Sequence, residues 1–209
     1  MNNEFVRSYM KMARFISSNK ISCLSRGIGT VIVHPTENRT LGTGYNGPPR
    51  ETPRCDDYNY LKNIVFPQLT KQEKDYVIAN SDIEIIPDVT GTHKEEDEMF
   101  ATRHEKCGTC PRRLIGAQSG QRLELCSCAH SEQNAIINAG QSVAGAYLFC
   151  WCPPPCFDIC AKAIVNANIA RVYCLKSADS LYNENKTRWL FSTAGVELHE
   201  LEEEWINAI

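Results

Sequence analysis

Apolar Phe5, Tyr9, Met12, Ala13 and Ile16 recur at helical spacing while Arg7, Lys11 and Arg14 fall elsewhere, which predicts an amphipathic helix packed on the core. Thr30 to His34 and Leu41 to Tyr45, separated by the turn-rich Pro35-Thr36-Glu37-Asn38, read as two antiparallel strands. Beyond residue 128 the pattern alternates. A helix from Ala129 to Ala139 precedes an apolar strand from Ala146 to Trp151, and a helix from Phe157 to Asn166 precedes a strand from Arg171 to Leu175. A helix near Asn183 to Ala194 and a strand from Val196 to Glu200 follow. Such alternation predicts an α/β protein with parallel strands covered by helices.

The stretch from Tyr58 to His104 breaks this rhythm and reads as an insertion in a single domain spanning 1–209. Tyr60, Leu61, Ile64 and Val65 suit one helical turn; Val77, Ile78, Ile83, Ile85 and Ile86 suit an extended apolar piece. The acidic run Lys94-Glu95-Glu96-Asp97-Glu98 reads as a solvated surface. The insertion is either a lid or an oligomer contact on this reading.

Composition narrows the class. With 209 residues and 43% hydrophobic content, one sizeable core is expected. A net charge of −3 argues against long nucleic acid as the main ligand and leaves a small phosphorylated molecule compatible. No apolar run is long enough to span a bilayer and no secretory signal is evident, so a cytoplasmic protein without a membrane partner is expected. Eleven cysteines, grouped as C-x-x-C, C-x-C and C-x-x-x-C, then suggest metal ligation by reduced thiols rather than disulfides. Cys150, Cys152 and Cys174 lie in apolar segments and read as buried, inert thiols.

The sharpest chemistry lies in His130-Ser131-Glu132 followed by Cys156-Phe157-Asp158-Ile159-Cys160. His130, Cys156 and Cys160 supply three zinc ligands, and a metal held by three groups keeps a fourth position for water. Zinc lowers the pKa of that water to about 7, and Glu132, two residues from a ligand, can carry its proton. This is the equipment of a hydrolytic nucleobase deaminase. Read blandly, a lone His-x-Glu means little and a lone cysteine pair marks a structural zinc or core thiols. The order and spacing found here favour the catalytic reading.

The same residues, in order with Ser22-Cys23-Leu24-Ser25-Arg26, Gly29 to Val33, Gly42 to Pro49, Cys110-Pro111-Arg112-Arg113, Ser119-Gly120, Leu123 to Cys126 and Cys160 to Ile164, resemble the deoxycytidylate deaminase family of bacterial and bacteriophage type, within the cytidine deaminase superfamily. The resemblance covers roughly three quarters of the chain. It implies a three-layer α/β/α cytidine-deaminase-like fold with a five-stranded mixed sheet. It also implies zinc on His130, Cys156 and Cys160 with Glu132 as general acid and base, deaminating dCMP to dUMP and ammonia for the thymidylate pool.

Further roles follow from the resemblance alone. A second, structural zinc would use Cys23, Cys55, Cys110 and Cys126, with Cys107, Cys128 and His104 as substitutes. Asn46 would border the substrate pocket, and Gly44-Tyr45-Asn46-Gly47 would contribute to a regulatory nucleotide site between subunits of a hexamer. That site would be activated by dCTP and inhibited by dTTP with Mg2+. Arg26, Arg112 and Arg113 are candidate phosphate contacts. The family usually has two residues between its paired cysteines; this chain has three, so Cys152 stands as an alternative ligand to Cys156. Deamination of dCTP or a 5-modified cytosine nucleotide, or of a base in single-stranded polynucleotide, is the enzymatic alternative, and a non-catalytic nucleotide-binding scaffold the other.

Overall fold

The computed structural model describes residues 3–19, 23–81, 83–87, 98–102, 110–118, 121–140, 142–177 and 184–208. In chain order the elements are α1 (Asn3–Asn19), β1 (Gly29–Val33), β2 (Thr40–Tyr45), α2 (Tyr58–Tyr60), α3 (Lys71–Asn80), β3 (Ile83–Pro87), β4 (Glu98–Thr102), α4 (Pro111–Leu114), α5 (Ser131–Ala139), β5 (Tyr147–Cys150), α6 (Lys162–Asn166), β6 (Arg171–Leu175), α7 (Glu184–Ala194), β7 (Glu197–Leu201) and α8 (Glu203–Asn207). Of the sequence readings, Ser22, residues 94–97 of the acidic run, His104, Cys107, Ser119-Gly120 and Asn183 lie outside the described residues.

The chain divides into two compact units. The first comprises Met1–Ser22, Arg26–Gly47 and Ala129–Ile209, the second Cys23–Ser25 and Pro48–Cys128. The limits of the second unit lie outside the 58–104 interval read from the sequence.

The first unit is a five-stranded mixed sheet in the order β2-β1-β5-β6-β7. β1 runs antiparallel to both β2 and β5, while β5, β6 and β7 are mutually parallel. One face carries Val31, Val33, Phe149 and Tyr173 against Val6, Met10, Ala13 and Ile16 of α1 and Ile206 of α8. The other carries Ile32, Leu148, Cys150, Val172 and Cys174 against α5, α6 and α7. The result is three layers, and β1 is buried at all five positions because both of its faces are covered.

The α1 stripe is rotated from the sequence expectation. Its buried residues are Val6, Met10, Ala13, Ile16 and Ser17, and Met12 is 39% exposed. Four apolar residues at i, i+4, i+7 and i+10 pack better than a stripe through Met12, whose flexible side chain tolerates the rim.

The second unit has its own core, formed by Leu61, Val65, Phe66, Leu69, Val77, Leu114, Ile115 and Leu125. Leu61–Val65 forms a π turn. Here the expected extended piece is corrected: Val77 and Ile78 belong to α3, and only the segment from Ile83 is a strand, paired antiparallel with β4. The cause is a capping box, in which Thr70 Oγ1 accepts from the Glu73 N–H and Glu73 Oε2 accepts from the Thr70 N–H. That start signal overrides the β-branched character of the residues that follow.

Candidate metal and proton-transfer centre

The centre is built from two helix beginnings in the first unit. His130 occupies the N-cap position of α5 in extended conformation, its N–H donating to Gln133 Oε1 at 3.4 Å, and α5 ends at Gly140, whose φ of 62° is left-handed. Cys156 precedes a π turn, Phe157–Ala161, which leads into α6. In that turn the Ala161 N–H donates to Cys156 O at 2.9 Å, an i to i+5 bond. A π turn accommodates one more residue than an α turn. The three-residue spacing between Cys156 and Cys160 is thereby absorbed, and Cys160 is buried on the same side as His130.

His130 Nδ1 lies 3.1 Å from Cys160 Sγ and 3.5 Å from Cys156 Sγ. The three ligand atoms all fall within 4.8 Å of one another. A tetrahedral zinc, with Zn–N of about 2.0 Å and Zn–S of about 2.3 Å, requires N···S separations of roughly 3.5 Å. The donor set therefore fits zinc, with one nitrogen and two sulfurs leaving a fourth corner. A hydrogen bond from Cys160 and another from His130 hold the Cys156 thiol down to about 4, while the same bond and burial push Cys160 up. The site thus already favours a thiolate before any cation is added.

Glu132 is 3% exposed. Its Oε2 accepts from Ser131 Oγ at 3.0 Å, and its Oε1 lies 3.9 Å from Cys152 Sγ. The bond to Cys156 and burial push Cys160 up, and the Glu132 charge adds to both; against the opposing bond to Cys150, burial and the Glu132 charge raise Cys152. Cys152 stands with Cys150 and Glu132 in a second compact group rather than with His130. Cys150, Cys152 and Cys174 are buried, and Cys150 and Cys174 are pushed well up: Cys150 by its bond to Cys152 and by burial, Cys174 by burial.

The segment Gly44-Tyr45-Asn46-Gly47 holds the start of α5. A Cβ on Gly44 would stand 2.0 Å from Ser131 O and 2.4 Å from Ala135 N, so only glycine permits this approach of strand and helix. Tyr45 O accepts from Asn134 Nδ2 at 2.8 Å, Asn46 Oδ1 accepts from the Ser131 N–H at 2.8 Å, and Gly47 exchanges two backbone bonds with Ala129. Asn46 Nδ2 donates to Arg26 O at 3.4 Å. Satisfying an otherwise orphaned helix N–H is a structural task for Asn46 that the sequence did not reveal. Thr187 Oγ1 donates to Pro155 O at 2.9 Å, anchoring the loop before Cys156 to α7.

Of the candidate phosphate contacts, Arg26 is half-buried in the first unit, and the contact it receives from Asn46 Nδ2 is to its backbone carbonyl. Arg112, in the second unit, donates to Gln121 O at 2.6 Å and Gln118 O at 3.2 Å, and Arg113 donates to Ser25 O at 2.8 Å. Those guanidinium groups tie loops of their own unit.

Among the described residues, Cys23, Cys55, Cys110, Cys126 and Cys128 lie in the second unit. Cys55 is held down to about 3 by hydrogen bonds from Cys110 and Cys128, and Cys126 to about 6 by its bond with Cys128. Cys128 also reaches Cys23, and its own thiol is pushed up by bonds to Cys126, Cys23 and Cys55. Cys128, which the sequence offered only as a substitute, is the hub of this cluster.

A mixed sheet between two helical layers carries an imidazole, two thiols and a buried carboxylate at adjoining helix beginnings, and the His130, Cys156 and Cys160 donors fit zinc. The chain belongs to the family described as the cytidine and deoxycytidylate deaminase zinc-binding region, which matches residues 3–176. It is similar to the deoxycytidylate deaminase of Enterobacteria phage T2, 29% identical over 190 residues covering 88% of this chain and 86% of that protein. It is also 25% identical over 194 residues to the deoxycytidylate deaminase of Schizosaccharomyces pombe, covering 92% of this chain but only 42% of that longer protein. In fold it resembles the dCMP deaminase of cyanophage S-TIM5, solved in complex with dCMP and dUMP, with a TM-score of 0.53 and 20% identity over 96% of this chain and 99% of that one.

Proposed function

We propose that this chain hydrolyses dCMP to dUMP and ammonia. The observation that carries this reading is the burial of Glu132 two residues along α5 from His130, whose ring meets Cys156 and Cys160. Zinc held by those three residues would supply the positive charge that acidifies a water molecule. Glu132 then takes a proton from that water as its oxygen attacks C4 of cytosine, and delivers it to N3. A second proton passes from the new hydroxyl through Glu132 to the exocyclic amine, the C4–N bond breaks, and ammonia leaves a uracil with its C4 carbonyl. Two thiolates holding such an ion would offset part of its charge, which makes the Glu132 carboxylate more necessary.

The monophosphate substrate is supported by the deoxycytidylate deaminases to which the chain is similar and by the dCMP and dUMP bound in the cyanophage protein. Arg26 is our candidate for the substrate phosphate and Asn46 for the pocket wall. A second zinc is assigned to the thiol cluster of Cys23, Cys55, Cys110, Cys126 and Cys128. We read the whole chain as one deaminase domain whose second unit is inserted between β2 and α5. A hexamer, with dCTP activation and Mg-dTTP inhibition, follows from the family resemblance.

The test is ammonia release by zinc-replete protein from dCMP, dCTP, a 5-methylated monophosphate and a cytosine oligonucleotide, each with and without dCTP or Mg-dTTP. We expect dCMP to be consumed fastest. Protein that carries zinc yet is inert toward every cytosine compound would end the proposal.

A further inference from the structure

We infer that Ser131, backed by Thr30, is a positioning residue that fixes the Glu132 carboxylate for proton transfer, an inference resting on the reading of Glu132 as proton carrier. The hydroxyls of Thr30, on β1, and Ser131, the first residue of α5, are both fully buried and lie 2.7 Å apart. Ser131 Oγ lies 3.0 Å from Glu132 Oε2. Ser131 Oγ donates to Glu132 Oε2, and a hydroxyl has one proton, so the Ser131 oxygen is left to accept the Thr30 proton. The two bonds therefore run one way, from Thr30 through Ser131 to Glu132, and each polarises the next.

The donor is itself held from two sides. The Ser131 N–H is bonded to Asn46 Oδ1 at 2.8 Å, and the Ser131 carbonyl lies against Gly44, where a Cβ would approach to 2.0 Å. The other carboxylate oxygen faces Cys152 Sγ at 3.9 Å. On a side chain with three rotatable torsions, a directed bond to one oxygen selects the rotamer in which the other oxygen serves the reaction. A base held in one geometry transfers protons at a higher rate than one that wanders.

The experiment compares Ser131→Ala, Thr30→Val and Thr30→Ser, all zinc-loaded, with the wild-type chain. Val keeps the shape of Thr and removes the hydroxyl, whereas Ser keeps the hydroxyl, so the pair separates hydrogen bonding from packing. We expect Ser131→Ala to lower kcat about tenfold with KM within about twofold of wild type, the size of one lost hydrogen bond to a charged group. Thr30→Val should lower kcat about threefold, Thr30→Ser should restore it, and the double variant should be no worse than Ser131→Ala alone. Zinc content and resistance to chelator competition should be unchanged throughout.

Independently of turnover, a crystal structure of Ser131→Ala should show Glu132 in a second rotamer. Retention of the single rotamer, a kcat within about twofold of wild type for Ser131→Ala, or Thr30→Ser no better than Thr30→Val would overturn the inference. Wild-type protein inert to every cytosine nucleotide would instead bring down the proposed function, and the rotamer comparison would still decide this one.

Discussion

Glu132 combines deep burial with a position two residues from His130, and its carboxylate accepts from a hydroxyl on one oxygen and from the Cys152 thiol on the other. Among the described residues no arginine or lysine forms an ion pair with it. A charged partner would stabilise the ionised form and oppose the back-and-forth transfer that deamination requires. Glu132→Gln keeps the volume and the acceptor for Ser131 while removing the proton-carrying function. It should lower kcat/KM by about 10²- to 10⁴-fold with zinc content unchanged, measured by ammonia release and metal analysis. His130, Glu132, Cys156 and Cys160 were legible because each half of the site is encoded within a few residues of sequence. Thr30 was not, since it meets Ser131 across 101 positions and only the packing of α5 on β1 and β2 brings them together.

At the scale of elements, the site depends on how closely α5 sits on β2. Gly42 and Gly44 both face its backbone, with hypothetical Cβ distances of 2.5 Å to Ala135 O and 2.0 Å to Ser131 O. Gly44→Ala must push the first turn of α5, with His130 and Glu132 on it, away from the sheet. We expect it to destabilise the fold by several kcal/mol, about the upper range for overpacking, and to lose zinc affinity together with activity. Gly140→Ala, at the far end of α5 where a Cβ has open space, should lower stability only by the strain of its left-handed φ, about 1 kcal/mol, and leave zinc binding intact. In the second unit, burial tends to raise Glu73, but Arg122, the Thr70 N–H and the Thr70 hydroxyl outweigh it and hold the carboxyl below its ordinary range. A folded-state pKa below the unfolded one means the native form binds fewer protons, so this contribution is full above about pH 5 and is lost as pH falls through the depressed value. Glu73→Ala should cost about 1–2 kcal/mol at neutral pH in denaturant unfolding, and the difference from wild type should shrink below about pH 4. The box itself was written in the sequence as Thr70-Lys71-Gln72-Glu73, and weighting it above the apolar run would have placed Val77 and Ile78 on a helix. The π turn had no such sequence signature, because an extra residue reads equally well as a longer loop.

For the whole molecule, periodicity made the five strands and the helical layers of the first unit legible, whereas the second unit's limits were not, since Pro48 to Tyr58 carries turn residues without a repeating pattern. What the second unit shares with the first is a cluster of thiols, and with the second zinc proposed above the two clusters predict different consequences of metal loss. Of the five thiols Cys23, Cys55, Cys110, Cys126 and Cys128, the last bonds to Cys126, Cys23 and Cys55, so its loss is expected to cost the cluster most. Closed sites contribute folding energy outright, and open sites contribute chemistry. Purified protein should therefore contain two zinc ions per chain. Cys128→Ser should reduce this to one and lower the melting temperature by several degrees, about the effect of 1–3 kcal/mol in a chain of this size. Cys156→Ser should also leave one zinc ion but abolish ammonia release with a smaller change in melting temperature. Two ions retained in Cys128→Ser would reassign the hub thiol, and equal losses of stability in both variants would mean that the clusters are not divided between folding and chemistry.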